Sequence, residues 1–170
     1  MRRTLLVLIS LLTLAIIAPG AAVAKRGGTD RPWKGKGSGT TTVDVATTPF
    51  PGSTEGTARF SHLGKTSYSS QFAVTITGPD SFTIVGTQTV VAANGDMLFL
   101  SFTGTGSFAG AFGPGQTTDT TLSYTVTGGT GRFDDASGTL TGRVLGEVVS
   151  VVGATGTGPH TFTARGKISY

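Results

Sequence analysis

Thr127-Gly128-Gly129-Thr130-Gly131-Arg132-Phe133-Asp134-Asp135-Ala136-Ser137-Gly138-Thr139-Leu140 is the stretch whose reading decides the fold. Gly128, Gly129 and Gly131 can take positive φ without a Cβ clash, so they permit a tight reversal after a strand ending near Thr127. Phe133 follows directly, where an aromatic ring anchors such a turn against a core. Asp134 and Asp135 can accept hydrogen bonds from nearby backbone N–H groups, as acidic residues do at a single helical turn. Gly138 resets the chain for the next strand. The stretch reads as a structural corner; the competing reading is a ligand or catalytic loop.

Outward from this corner, the chain from Thr40 onward shows period-two alternation broken by Gly, Pro and Asn, the pattern of strands and turns. Leu122-Tyr124-Val126 alternates into the corner, and Leu140 to Val152 and Thr161 to Tyr170 follow it, separated by the glycine-rich Gly153 to Pro159. Upstream, Thr41-Val43-Val45 alternate before Pro49-Phe50-Pro51-Gly52, and Ala58-Phe60 continue in phase with His62. Lys65 to Thr77 carries Phe72, Val74 and Ile76 on one face, Gly78-Pro79-Asp80 is a turn, and Phe82 opens a strand to Val91. Asn94-Gly95 predicts a type I′ hairpin, because Asn-Gly supplies two positive-φ positions whose twist matches the flanking strands. Met97 to Thr105 is apolar on both faces at Leu98, Phe99 and Leu100, which suggests a central strand, and Phe108 to Gln116 reads as a loop. No stretch from Thr40 on reads as a helix longer than a turn or two. Strands about ten residues apart with turn signals between them indicate a barrel or a sandwich.

The run Gly-Gly-Thr-Gly-Arg-Phe followed by Ala-Ser-Gly (128–138) resembles the corner of the allene oxide cyclase and dirigent barrel superfamily. It is closer still to small secreted bacterial proteins of unknown function that share this barrel. His62-Leu63-Gly64-Lys65 and the segment Phe162 to Tyr170 are similar to the same group, so the resemblance covers residues 55–170. It implies an all-β fold, a single calycin-like antiparallel barrel of eight strands, whose closure removes exposed sheet edges. Dirigent-like sequences tend to carry arginine where Ser137 stands, and none of their pocket residues matches a position here. A shared fold does not by itself confer activity.

Arg2 and Arg3 precede an apolar run from Leu5 to Ala18, broken by Pro19-Gly20, and Ala22-Val23-Ala24 supplies a small-residue cleavage pattern. These features define a secretory signal peptide over residues 1–24, cleaved after Ala24, with a core short for a membrane span. The expected destination is extracellular or periplasmic. Cysteine is absent, which excludes disulfides and a lipid-modified cysteine anchor. Residues 25–39 hold Lys25, Arg26, Arg31, Lys34 and Lys36 against Asp30 alone and read as a disordered, basic, glycine-rich leader that includes Trp33. A leader of this kind could instead touch an anionic envelope. The barrel domain is assigned to residues 40–170; from Gly39 on, acidic residues outnumber basic ones eight to six, and no nucleic-acid partner is expected.

A hydrolytic triad needs a base beside a nucleophile and an acid to orient it. Only His62 and His160 could supply an imidazole base, and no Gly-x-Ser-x-Gly elbow exists. The phase of His62 with Phe60 makes it a packed, hydrogen-bonded histidine rather than a catalytic one. Two distant histidines without cysteine do not make a zinc site. Asp134-Asp135 could help hold calcium but lacks the spaced acidic loop of calcium sites. The GGTG run lacks the Gly-Lys-Ser/Thr ending of a phosphate loop. Asp44, Glu55, Asp80, Asp96, Asp119 and Glu147 are scattered and single out no catalytic pair. No catalytic, cofactor-binding or metal-binding residue is therefore assigned, and no cofactor is expected.

The function these readings support is a secreted, non-catalytic barrel that binds a small apolar ligand or is structural at the cell exterior. One alternative is a cyclase- or dirigent-like enzyme acting on an apolar substrate inside the barrel. A second is a small outer-membrane barrel, because period two does not say whether the apolar face points inward or toward lipid. One Trp and three Tyr are too few for interfacial girdles, which argues against it. The oligomeric state is left open. If Phe60, Phe72, Phe82, Phe99 and Phe162 fill the interior, no room remains for a ligand and a structural role is left.

Overall fold

Alternating side chains need a surface with two unlike faces, and the chain supplies one by closing a sheet on itself. The computed structural model describes residues 28–170, so the signal peptide and the first residues of the leader lie outside the described residues. The strands are β1 (Arg31–Asp44), β2 (Phe50–Phe60), β3 (Gly64–Gly78), β4 (Ser81–Ala92), β5 (Met97–Ala109), β6 (Thr117–Gly129), β7 (Ser137–Glu147), β8 (Ser150–Val152) and β9 (Thr155–Ser169). Each strand from β1 to β6 pairs antiparallel with the next, β7 pairs with β9, and β9 pairs back onto β1, closing an eight-stranded barrel. The short β8 pairs with the first residues of β9 and forms a small hairpin at one end.

The strand-to-strand register puts one set of alternate residues inside and the other outside. Along β6, Thr120, Leu122, Tyr124 and Val126 are buried while Thr121, Ser123, Thr125 and Thr127 are exposed. The outer wall is thus mainly threonine, serine and charge, and the apolar face turns inward.

One end of the barrel is filled. Trp33, Phe60, Leu63, Leu98, Phe133 and Ile168 form this floor, and the Trp33 ring stacks on Phe60 with centroids 4.7 Å apart. The corner reads as expected in outline: a 3-10 turn spans Gly131–Phe133, and the Phe133 side chain is fully buried. Thr130 ties it to the neighbouring hairpin, donating its N–H to Met97 O (2.8 Å) and accepting the Met97 N–H on its hydroxyl (2.9 Å). The side chains of Asp134 and Asp135 do not cap the turn; Asp134 ends it through its backbone N–H, which donates to Gly131 O. Both aspartates are exposed, and the turn is closed by backbone bonds such as Phe133 N–H to Thr130 O.

Four expectations need correction. The barrel begins at Arg31, not at Thr40: nine residues assigned to a disordered leader are the first part of β1, paired on both edges, to β9 from Arg31 and to β2 from Gly35. Trp33 is 1 % exposed. The alternation was hidden because the inward positions after Trp33 are Gly35, Gly37 and Gly39, which carry no apolar signal. They are glycine because aromatic rings occupy the space: a Cβ at Gly35 would run into the ring of Phe60, and one at Gly37 would lie 2.6 Å from Phe162. Covering inward glycines with rings from other strands is a means of curving a sheet without leaving a void.

The hairpin at Asn94-Gly95 is not type I′, since Gly95 alone of the pair has positive φ, at 88°. The Gly95 N–H donates to Ala92 O and the Ala92 N–H to Asp96 O, the arrangement of a type I turn followed by a bulge glycine. The side chain of Asn94 instead donates to the Asp96 carboxylate at 2.8 Å. Leu140 to Val152 is not one strand but β7 and β8, and β9 starts at Thr155, inside the run taken for a separator. Finally, Phe99 points outward, 36 % exposed, while Leu98 and Leu100 point in.

Register also gathers cations. Lys36 faces Arg59, Arg59 faces Lys65, and Lys34 faces Arg165; all five are exposed. Neither ion pair found among the described residues includes them. Like charges directly opposite on a sheet are destabilising. Replacing Lys36 and Arg59 together by Gln should raise the melting temperature by roughly 1–3 °C at low salt. In about 0.5 M salt the gain should vanish, because screening removes the repulsion. Equal gains at both salt concentrations would refute the charge argument.

Candidate binding cavity

Above the floor the inward positions stop meeting across the barrel axis. They line a cavity of about 810 Å³ that opens at the end where β1, β3, β5 and β7 finish. This size is within the range of small-molecule sites. Phe72, Val74, Ile84, Phe102, Leu122 and Val144 supply much of its wall. Phe112 stands at the mouth, and Val149 and Val152 are exposed on the nearby β8 hairpin. The aromatic test posed by the sequence has a divided answer. Phe60 packs in the floor, while Phe72, Phe82 and Phe162 stand around the cavity as wall rather than plug.

One polar cluster lies at the inner end of this space. His160 of β9 is 4 % exposed; its Nε2 is 2.5 Å from the Tyr68 hydroxyl of β3, and its Nδ1 is 2.9 Å from the Thr41 hydroxyl of β1. A neutral imidazole has one N–H. The phenol is the more acidic hydroxyl, so Tyr68 donates to Nε2 and Nδ1–H donates to Thr41. The Tyr68 ring also meets Phe162 edge-on, with centroids 5.3 Å apart. Its hydroxyl fits against the wall because the two residues behind it, Gly39 and Gly56, are paired glycines. A Cβ on either would lie 2.8 or 2.7 Å from that oxygen.

Burial holds the His160 imidazole below its ordinary pKa of 6.5 and pushes the Tyr68 phenol up. Both effects favour the uncharged forms, so the cluster is a neutral hydrogen-bonding group. Nε2 accepts from the Tyr68 hydroxyl and Nδ1–H is held by Thr41 rather than by a carboxylate, so the acid that orients the base of a hydrolytic triad is not among the partners of His160 in the described residues.

The lowered pKa makes stability depend on pH with a definite sign. The unfolded chain binds a proton at this histidine near pH 6.5, whereas the folded protein binds one only at lower pH. The stabilising contribution is therefore complete above about pH 6.5 and is lost as pH falls from there toward the folded pKa. Thermal melts should show the melting temperature falling between pH 7 and pH 5, and falling less in His160→Gln. Parallel declines in the two proteins would rule out His160 as the source.

The other sequence candidates lie elsewhere. His62 is not packed: it sits in the β2–β3 turn, exposed, with φ 70°, and its Nε2 is 3.2 Å from Pro32 O. Asp119 binds Arg143 on the outer wall through both carboxylate oxygens, and this hydrogen-bonded guanidinium lowers its pKa. Asp80 and Glu147 stand at the rim of the cavity. Asp134 and Asp135 belong to the floor end, and no three metal-ligating side chains gather among the described residues. Sequence reasoning weighed His160 only as a possible base. Its alternation with Phe162, as clear as that of His62 with Phe60, was the available signal. No known family matches this chain in a scan of family models, and neither the curated proteins nor the solved structures contain a match to it.

Proposed function

We propose that this protein is an exported, non-catalytic barrel that holds a small, mainly apolar molecule in the cavity above its floor. The observation that carries this reading is a half-filled barrel with largely apolar walls and a neutral hydrogen-bonded cluster, Tyr68–His160–Thr41, at its inner end. A barrel serving only as a spacer gains nothing from such a space, since an unfilled interior forfeits packing. Export rests on the charged start, apolar run and Ala22-Val23-Ala24 of residues 1–24. A wall embedded in lipid is opposed by the outward threonines, serines and charges of β1, β6 and β9.

Native mass spectrometry of the protein recovered from culture medium tests both parts. The expected spectrum shows a chain beginning at Lys25 and carrying a small apolar mass that is lost on unfolding. An apoprotein under gentle conditions, with no added apolar molecule able to bind, would sink the binding reading.

A second reading, an enzyme of the cyclase or dirigent kind, is favoured by one observation. The Tyr68 hydroxyl gives its proton to His160 Nε2 at 2.5 Å, which leaves an electron-rich phenol oxygen at the edge of an apolar cavity, able to accept a hydrogen bond from a bound molecule and orient it. Conversion of the bound molecule to an isomer, abolished in Tyr68→Phe, would establish it; recovery of the molecule unchanged would leave a carrier.

A further inference from the structure

Resting on the cavity-binding reading, the strand register says more about the ligand. Thr41 of β1 faces Thr54 of β2, Thr54 faces Ser70 of β3, and Ser70 faces Gln88 of β4. All four point inward and line the cavity. They form an arc of polar side chains at one level across four adjacent strands, each about 4.8 Å from the next. Ser70 and Gln88 are 7 % and 8 % exposed, yet neither side chain hydrogen-bonds to another described residue. Nor are their polar atoms sealed off, since the one enclosed and unpartnered side-chain nitrogen or oxygen among the described residues is Trp33 Nε1. The carboxamide and hydroxyl therefore open into the cavity. Buried polar groups ordinarily find partners, and a carboxamide has two donors and an acceptor to satisfy. The facing wall carries Phe102, Leu122 and Val144 at depth, with the hydroxyls of Thr118 and Thr120 nearer the mouth.

Charge is treated differently. Among the described residues no Lys or Arg lines the cavity, and its two carboxylic acids, Asp80 and Glu147, are exposed at the rim. An anionic head group would pass these carboxylates and find no counter-ion inside, where an unpaired charge is strongly disfavoured.

We propose that the cavity selects an uncharged amphiphile, an alcohol, ester or ketone with two or more oxygens along one edge of an apolar body, and rejects the corresponding carboxylate. The polar edge lies along the arc from Thr41 to Gln88, and the apolar body lies against the facing wall.

Glycerol monododecanoate, 1-dodecanol and dodecanoate share one chain and differ in the head group, so they separate the terms. Titration of the protein with each at pH 7.4, below the critical micelle concentration, should give the order monoester, alcohol, carboxylate, with at least tenfold between first and last. Gln88→Leu should weaken the monoester about tenfold while changing the alcohol less than threefold. Thr54→Val, a second variant of near-equal volume, should act in the same direction, and a wild-type melting temperature would certify each fold. Dodecanoate binding as tightly as the monoester, or both variants keeping wild-type affinity, would overturn this inference and leave the cavity reading intact. Binding of none of the three would overturn the cavity reading and this inference together.

Discussion

Trp33→Ala lowers the unfolding free energy by about 3–5 kcal/mol, the range for removing a fully buried large aromatic. Domains of this size are stable by about 5–15 kcal/mol in total, so the variant stands near the edge of folding. The tryptophan is 1 % exposed and stacked on Phe60; its removal leaves a void where β1, β2 and β9 meet. Its unpartnered Nε1 subtracts from its contribution without reversing it, since the burial of the ring is the larger effect. A companion deletion makes the same point about topology. A chain starting at Thr40 loses the half of β1 that holds β2 and β9 together at the floor, leaving two unpaired edges. Urea titration followed by far-ultraviolet circular dichroism measures both. A midpoint for Trp33→Ala equal to wild type, or a cooperative transition in the shortened chain, would return residues 31–39 to the status of a leader.

Ile84→Trp abolishes or weakens ligand binding at least tenfold and leaves the melting temperature within a few degrees of wild type. Ile84 is half-buried on β4 and faces the cavity, so a larger side chain there has empty space to enter rather than packed neighbours to displace. That distinguishes it from a substitution in the floor, where extra volume costs about 1–3 kcal/mol. Isothermal titration with the co-purified molecule, or with glycerol monododecanoate, gives the affinity, and a thermal melt gives the stability. Unchanged affinity would place the ligand outside the barrel. A large drop in melting temperature would mean that the cavity closes in solution.

The strand-and-turn pattern was legible because its determinants are local and periodic. The alternation of Leu122, Tyr124 and Val126, the glycine corner and the spacing of turns each fix a strand or a reversal without reference to anything distant. Where inward positions are glycine the same logic failed, as in Gly35, Gly37 and Gly39 and again in Gly156 and Gly158. What makes such a position buried is a ring or backbone supplied by another part of the chain, such as Phe60 for Gly35 or Phe112 of the β5–β6 loop for Gly156. Turn chemistry misled at Asn94, which uses its side chain to bind Asp96 instead of adopting positive φ.

By itself the sequence determined that the chain is all-β, that it holds no thiol, and that it reverses direction at the glycine corner of 128–138. Only closure decided the rest. It turned the apolar face inward and packed Trp33 against Phe60. It also brought Tyr68, His160 and Thr41 together from positions up to 119 residues apart. The physical reason is that period two assigns a residue to a face, whereas which residues meet on that face depends on the register between strands. Register is a property of the closed sheet, and no single strand carries it.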